Sequence, residues 1–103
     1  MSATVVLALM LMSQAAPSAA DLADAKCIVA MSFLREHAEA KDKPDMQSAM
    51  LFFVGKIVGR SGSAGVAPAL QAVVEPMKSA GVEGTTVIAE QCAPQIKDAA
   101  NGL

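Results

Sequence analysis

Two cysteines, Cys27 and Cys92, constrain the fold of this chain more than any other feature. They are its only cysteines, and they lie near the two ends of the segment that follows an apolar N-terminus. An even number of cysteines in an exported chain indicates a disulfide, and closing a loop of this length stabilises a fold by ~4 kcal/mol in the chain-entropy model. The alternative is two free buried thiols, which behave as small hydrophobic groups. No Cys-x-x-Cys motif is present, so we expect a structural bond and not a redox-active one.

The N-terminal residues are typical of an export signal. Val5–Met12 is an unbroken apolar run, and Ser18-Ala19-Ala20 supplies the small residues that a signal peptidase requires. We therefore predict a signal peptide over residues 1–20 and a single helical domain over residues 21–103, located in the periplasm or secreted. No Lys or Arg precedes the run, so the usual basic beginning is missing. Because the run is far shorter than the ~20 residues that span a bilayer, we expect no stable membrane span after cleavage.

The charged residues argue against a nucleic-acid partner. Eight basic and ten acidic residues give a net charge of −2, and the two signs are interspersed along the chain. Binding to phosphates requires a basic patch or stripe, and the sequence contains none. We therefore expect no nucleic-acid partner.

Four segments have the apolar periodicity of short amphipathic helices, and no segment alternates like a strand. The predicted helices cover about residues 22–40, 46–58, 66–80 and 85–101. Short connections between four helices indicate an all-α fold, a compact bundle with one disulfide. In this arrangement the disulfide pins the first helix to the fourth.

Polar caps and prolines predict where these helices begin and bend. Asp21 or Asp24 can cap the first helix, and Asp42 can cap the second. Pro76 and Pro94 lie inside the third and fourth segments, where a proline removes a hydrogen bond and clashes with the preceding turn. We therefore expect a kink or a break near each of these prolines.

The second predicted helix carries apolar residues over much of its circumference, since Leu51 and Phe52 lie off its main stripe. We infer that it is the central and most buried helix. Gly55 and Gly59 form a Gly-x-x-x-Gly pattern in it, and each glycine costs about 1 kcal/mol relative to alanine in a helix interior. We expect these two glycines to permit close packing of another helix, and we expect Lys56 to reach water.

The sequence offers no convincing constellation for catalysis, a cofactor or a metal. His37 is the only histidine, and with Glu36 or Glu39 it provides too few ligands for zinc. The methionines that follow the signal lie on apolar stripes, where a thioether fills space more often than it binds Cu(I). We therefore expect no catalytic, cofactor-binding or metal-binding residues. The methionines in question are Met31, Met46, Met50 and Met77.

Three families resemble parts of this chain. Residues 51–60, with Cys27 before them and Cys92 after them, resemble small exported helical proteins of alphaproteobacteria, a likeness that implies no activity. The aromatic residue and the two glycines of that segment resemble the central helix of Tai-type immunity proteins, which neutralise secreted toxins in the periplasm. The size, the helical content and the two-cysteine staple are similar to acid-stress chaperones of the HdeA type, whose members are more charged and space their cysteines more closely. None of these families supplies catalytic residues.

These observations favour a non-enzymatic periplasmic helical protein that binds another protein. An acid-activated periplasmic chaperone is the alternative among binding proteins. A small hydrolase is the alternative from a different class, although the sequence offers no credible pair of nucleophile and base.

Overall fold

Three α-helices make up the fold in the computed structural model, which describes residues 16–102. No strand occurs in this part of the chain, so the predicted all-α class is confirmed. None of the described helices is long and apolar enough to cross a membrane. The helices are α1 (Ala19–His37), α2 (Lys43–Ser61) and α3 (Val66–Asn101), and a 3₁₀ turn over Ser63–Gly65 joins α2 to α3.

The described chain has three helices and not about four, because the predicted third and fourth segments join into α3. One residue of α3 is not helical: Gly81 has φ 69° and ψ −168°. A positive φ is cheap for glycine and strained for other residues, so Gly81 ends one arm of the helix and begins the next. We call residues 66–80 the first arm of α3 and residues 82–101 the second arm.

The prolines of α3 do not break it, so the breaks considered near Pro76 and Pro94 do not occur. Gly81 is the residue with non-helical dihedral angles inside α3. Both prolines lie on the exposed surface, as do Ala72 and Glu90, the residues whose carbonyl groups lose a hydrogen bond. At exposed residues water can replace the lost N–H donor, and the helix continues through each proline.

Helix α1, and not α2, is the central helix. It packs along both α2 and α3, whereas α2 and α3 contact each other over a short region only. Ala25 and Ala30 of α1 are completely buried and small enough to let the flanking helices approach closely. Helix α2 buries one stripe, which includes the fully buried Phe53 and Ile57, and leaves Leu51 59% exposed. The predicted central position of α2 is therefore wrong.

Gly55 and Gly59 lie on the exposed side of α2. A Cβ atom built on either glycine would meet no heavy atom of residues 16–102 within 4 Å. The close helix contact predicted for these glycines is therefore wrong within the described part of the chain. Their low helix propensity is not offset by packing there.

The disulfide predicted between Cys27 and Cys92 is confirmed. It joins the middle of α1 to the second arm of α3, with Cα atoms 5.8 Å apart. Both cysteines are buried, 4% and 2% exposed, so the bond is part of the core. The disulfide thus adds a covalent restraint to the apolar packing where α3 crosses α1.

We predict opposite effects of alanine at two of the glycines. Gly55→Ala should raise the free energy of unfolding by about 0.5–1 kcal/mol, because alanine favours a helix and the site has room. Gly81→Ala should lower it, because a φ of 69° is strained for a residue with a Cβ atom. Urea melts of both variants test this, and a destabilised Gly55→Ala would restore a packing role for Gly55.

We predict that loss of the disulfide lowers the free energy of unfolding by about 2–5 kcal/mol. The measurement is a urea melt of the oxidised parent, the reduced parent and the double variant Cys27→Ser with Cys92→Ser. The reduced parent separates the cross-link from the serine substitutions. Three coincident curves would show that the helices hold together without the bond.

Candidate functional site

The residues that the sequence singles out for chemistry do not converge on one site. His37 is exposed and lies against Phe33, with ring centroids 4.5 Å apart. Met31 and Met77 are buried in the core. Among residues 16–102, no group of three or more His, Cys, Asp or Glu side chains is arranged to hold a metal ion.

A charged cluster instead joins the start of α1 to the end of α2. Arg60 donates from Nε to Oδ1 of Asp21 over 2.8 Å and from Nη2 to Oδ2 of Asp24. The Ser61 hydroxyl donates to Oδ2 of Asp21, and Nζ of Lys56 lies 3.1 Å from Oδ1 of Asp24. Every oxygen of the two carboxylates therefore has a partner. We call this cluster the carboxylate clasp: Asp21, Asp24, Lys56, Arg60 and Ser61.

The spacing of the charged residues explains how the clasp forms. Asp21 and Asp24 are three residues apart on α1, and Lys56 and Arg60 are four apart on α2, so each pair shares one face of its helix. Both carboxylates are only 3% exposed. An unpaired charge at such depth is strongly unfavourable, so the basic residues of α2 are required where α1 buries these acids.

Lys56 extends the clasp to α3. Its Nζ donates to Oε1 of Gln95 over 2.7 Å. The same Nζ lies 5.8 Å from the ring centroid of Phe52 and 5.7 Å from that of Phe53, within range of a cation–π contact. The side chain of Lys56 is 35% exposed, so it reaches water as expected, and it also binds Asp24 and Gln95.

The sequence suggested that Asp21 or Asp24 caps α1, but neither aspartate of the clasp is a helix cap. Ser18 caps α1, because its Oγ accepts a hydrogen bond from the backbone N–H of Asp21 over 3.0 Å. This leaves the side chains of Asp21 and Asp24 free for Arg60. Asp42 occupies the N-cap position of α2 but makes no side-chain capping bond.

Asp21 and Arg60 of the clasp keep their charges at neutral pH. The hydrogen bond from the Ser61 hydroxyl, together with Arg60, holds the pKa of Asp21 below its ordinary value of 3.8 and outweighs the opposing effect of burial. Hydrogen bonds to Asp24 and Asp21 raise the pKa of Arg60 above its ordinary value. A general acid or base needs a pKa near the working pH, so this chemistry suits a structural lock and not proton transfer.

A groove opens between α2 and the second arm of α3, with the C-terminal half of α1 as its floor. Its volume is about 490 Å³. Most of the side chains that line the groove are aliphatic or thioether groups, and three are charged. We call it the α2–α3 groove, and it is lined by Met31, Leu34, Asp45, Met46, Ala49, Thr86, Ala89, Glu90, Ala93, Ile96 and Lys97.

The groove exists because α2 and α3 flank α1 without packing fully on each other. On α3 the lining residues recur every three or four positions from Thr86 to Lys97, so one face of the arm forms that wall. At 1.5 Å per residue this wall is about 16 Å long, or three helical turns. Asp45 on α2 and Glu90 on α3 stand on opposite walls, and neither forms an ion pair with another described residue.

Two further depressions lie elsewhere on the described surface. One, of about 440 Å³, lies beside the disulfide and includes Lys26 and Gln91 in its lining. The other, of about 350 Å³, lies at the Gly81 break between Phe33 and Val82. Each contains a single lysine as its charged residue, so neither brings together groups for catalysis.

Comparison with protein-family models, with curated proteins and with solved structures gives no match for this chain. The geometry of the clasp and of the groove is therefore the basis for assigning a function.

The sequence contained a signal for the clasp and none for the groove. Asp24 lies on the same stripe of α1 as Ile28 and Met31, and an acid on a buried stripe requires a partner. Lys56 and Arg60, four residues apart on another helix, are such partners. The groove depends on how far α2 and α3 stand apart, which no local pattern encodes.

We predict that the clasp makes stability acid-sensitive. The pKa of Asp21 is lower in the folded protein than its ordinary 3.8, so its contribution is fully present above pH 3.8 and is lost as the pH falls below that value. Asp21→Asn should lower the urea midpoint at neutral pH and reduce the further loss on acidification. Asp98→Asn, at an exposed carboxylate without an ion pair in the described chain, should behave like the parent. Identical acid profiles for Asp21→Asn and the parent would contradict this role.

Proposed function

We propose that this chain is a non-enzymatic exported protein, periplasmic or secreted, that binds a helical segment of another protein in the α2–α3 groove. The observation that carries the proposal is the composition of the groove, which has an apolar floor and walls with carboxylates on both sides. Protein-binding grooves commonly take an amphipathic helix by its apolar face. No nucleophile paired with a base occurs among the lining residues.

The dimensions of the groove favour a helix as the occupant. Its α3 wall extends over about three helical turns, which matches a segment of about 11 residues. Three helices already pack around it, and a fourth in the groove would complete a four-helix arrangement. Met31 and Met46 contribute flexible thioether side chains to the lining, which can adjust to the partner's surface.

The charges of the groove specify the chemistry of the partner. Asp45 and Glu90 stand on opposite walls, and Lys97 is the single basic residue of the lining. A partner helix with Lys or Arg on both sides of its apolar stripe would pair with the two carboxylates. Such complementarity contributes more to specificity and to the rate of association than to affinity.

The cross-link supports the proposed location. A buried disulfide persists in an oxidising compartment and is rare in the reducing cytosol. The apolar run over residues 5–12, which lies outside the described residues, is the sequence feature that would direct the chain there.

We predict that Ala93→Arg abolishes partner binding. Ala93 lines the groove and is exposed, so an arginine there should block the groove while the fold is retained. Ala99→Arg is the matched control, because Ala99 is exposed on the same arm and does not line the groove. The measurement is a pull-down from periplasmic extract with both variants, after circular dichroism melts have shown equal stability.

A single stoichiometric partner that is retained by Ala99→Arg and lost with Ala93→Arg is the expected result. Replacing both Asp45 and Glu90 by lysine should also weaken that partner's binding, and the loss should shrink as salt is added. Equal recovery of the partner by both arginine variants would show that the groove is not the binding site.

An acid-activated chaperone is the second candidate, and the clasp is the observation that favours it. Asp21 ties α1 to α2, and its protonation would weaken its bonds with Arg60 and Ser61. Because the pKa of Asp21 lies below 3.8, this weakening requires a strongly acidic medium. Many unrelated clients, captured at such a pH and not at neutral pH, would support the chaperone and not the groove-binding proposal.

A further inference from the structure

We infer that this chain forms a homodimer in which α2 packs antiparallel against α2 of a second copy. The surface concerned is the side of α2 that is turned away from the core. We call it the neutral face, and it consists of Gln47, Ser48, Leu51, Gly55, Val58 and Gly59. It shares no residue with the α2–α3 groove, so the inference is independent of the proposed function.

The neutral face carries no charge although it is exposed. Between Asp45 and Glu75 the only charged residues of the chain are Lys56 and Arg60. Both of these side chains are engaged by the aspartates of the carboxylate clasp. The outer side of α2 is therefore exposed to water without a charged residue to solvate it.

The other two helices have the surface composition that is usual in water. Helix α1 exposes Lys26 and Glu36, and the second arm of α3 exposes Glu83 and Lys97. Charged and polar residues normally occupy the solvent side of a surface helix. Depletion of charge is instead typical of the centre of a protein–protein interface. The composition of the neutral face is thus that of an interface.

Exposed aliphatic residues and glycines alternate along the neutral face. Leu51 is 59% exposed and Val58 is 40% exposed, and they lie two helical turns apart on the same side of α2. Gly55 lies between them, and Gly59 follows Val58. Each glycine costs about 1 kcal/mol relative to alanine, and no contact within residues 16–102 offsets that cost. Close packing of a helix from another molecule would offset it.

The absence of charge favours a second copy as the occupant. Two neutral faces can meet without burying an unpaired charge and without bringing like charges together. A partner whose contact surface carries charged residues would leave them unpaired against this face. A second copy presents an uncharged surface of the same length, and a two-fold dimer uses the same surface on both subunits.

The order of large and small residues fits an antiparallel pair. If the two-fold axis passes at Gly55, Leu51 lies opposite Gly59 of the second copy, and Ser48 lies opposite Gly62. Each larger side chain then meets a glycine, and the backbones can approach closely where Gly55 meets its own copy. A parallel pair would instead place Leu51 against Leu51. Antiparallel helices also align their dipoles favourably.

The experiment is sedimentation of the oxidised full chain over a series of concentrations. One helix face buries less than the about 1,200–2,000 Å² of a stable complex, so we expect a dimer that dissociates on dilution. Gly55→Leu should raise the Kd of the dimer about tenfold or more, because leucine at the axis prevents close approach. The matched control is Ala99→Leu, at an exposed position on the second arm of α3, and it should dimerise like the parent.

Two results of this experiment would overturn the inference. One is a parent that stays monomeric throughout the series, which would leave the neutral face to a different protein. The other is a Gly55→Leu variant that dimerises as well as the parent, which would place the dimer contact elsewhere. Circular dichroism should show both leucine variants folded, since a Cβ atom at Gly55 meets no heavy atom of the described chain within 4 Å.

Gly55→Ala separates dimerisation from folding. In dilute solution, where the monomer dominates, this variant should unfold at a higher urea concentration than the parent. At high concentration it should nevertheless dimerise less than the parent. A variant that stabilises the chain and weakens the dimer cannot act by unfolding it. An unchanged Kd for Gly55→Ala and Gly55→Leu alike would show that Gly55 is not at the contact.

A pair of charges tests the antiparallel register. Leu51→Asp and Gly59→Lys should each weaken the dimer about tenfold or more when made alone, because each buries an unpaired charge. Combined in one chain, they should recover dimerisation, because each introduced carboxylate faces the introduced ammonium group of the other copy. Within one chain the two positions are about 12 Å apart along α2, too far to pair. A parallel dimer would bring like charges together, so failure of the double variant to recover would overturn the inference.

Discussion

The pairing of two buried carboxylates allows α1 to lie between the other helices. Asp21 and Asp24 are on the inner face of α1, and they are stable there because Arg60, Lys56 and Ser61 satisfy all four oxygens. Pairing of this kind adds little net stability compared with apolar packing, but it restricts how α1 and α2 align. A shifted register would leave a buried charge without its partner. The clasp therefore selects one arrangement of the two helices.

The restraints are unevenly distributed along α1, and the groove occupies the less restrained part. The clasp holds the first turns of α1, and the Cys27–Cys92 bond holds its middle. The groove lies over Met31 and Leu34, towards the other end. There, apart from the Lys56–Gln95 hydrogen bond, the separation of the flanking helices is set by side-chain packing among the described residues. One end of the bundle is thus fixed by charge and by a covalent bond, while the other remains open to a fourth element.

The sequence predicted the features that are encoded locally. The all-α class follows from apolar periodicity, and the disulfide follows from the number of cysteines together with the apolar run. The break in α3 falls between the third and fourth predicted segments, which end near residue 80 and begin near residue 85. The identity of the central helix was wrong because periodicity measures how apolar a helix is and not which neighbours it meets. The close helix contact predicted at Gly55 and Gly59 within the described chain was wrong for the same reason. A glycine in a helix leaves room for a neighbouring helix but does not show that a helix packs there. The clasp joins residues more than thirty positions apart, and pairing of that kind is not visible in any one segment.

The break at Gly81 also changes how α3 transmits force. An unbroken helix of 36 residues would be a stiff rod about 54 Å long, and displacing one end would swing the other. Gly81 divides α3 into two helical arms that are held separately. Val73 and Met77 pack the first arm into the core, and the disulfide at Cys92 joins the second arm to α1. A displacement of one arm is therefore not carried to the other through a continuous helix, and the disulfide at Cys92 anchors the groove's α3 wall to α1 independently of the first arm.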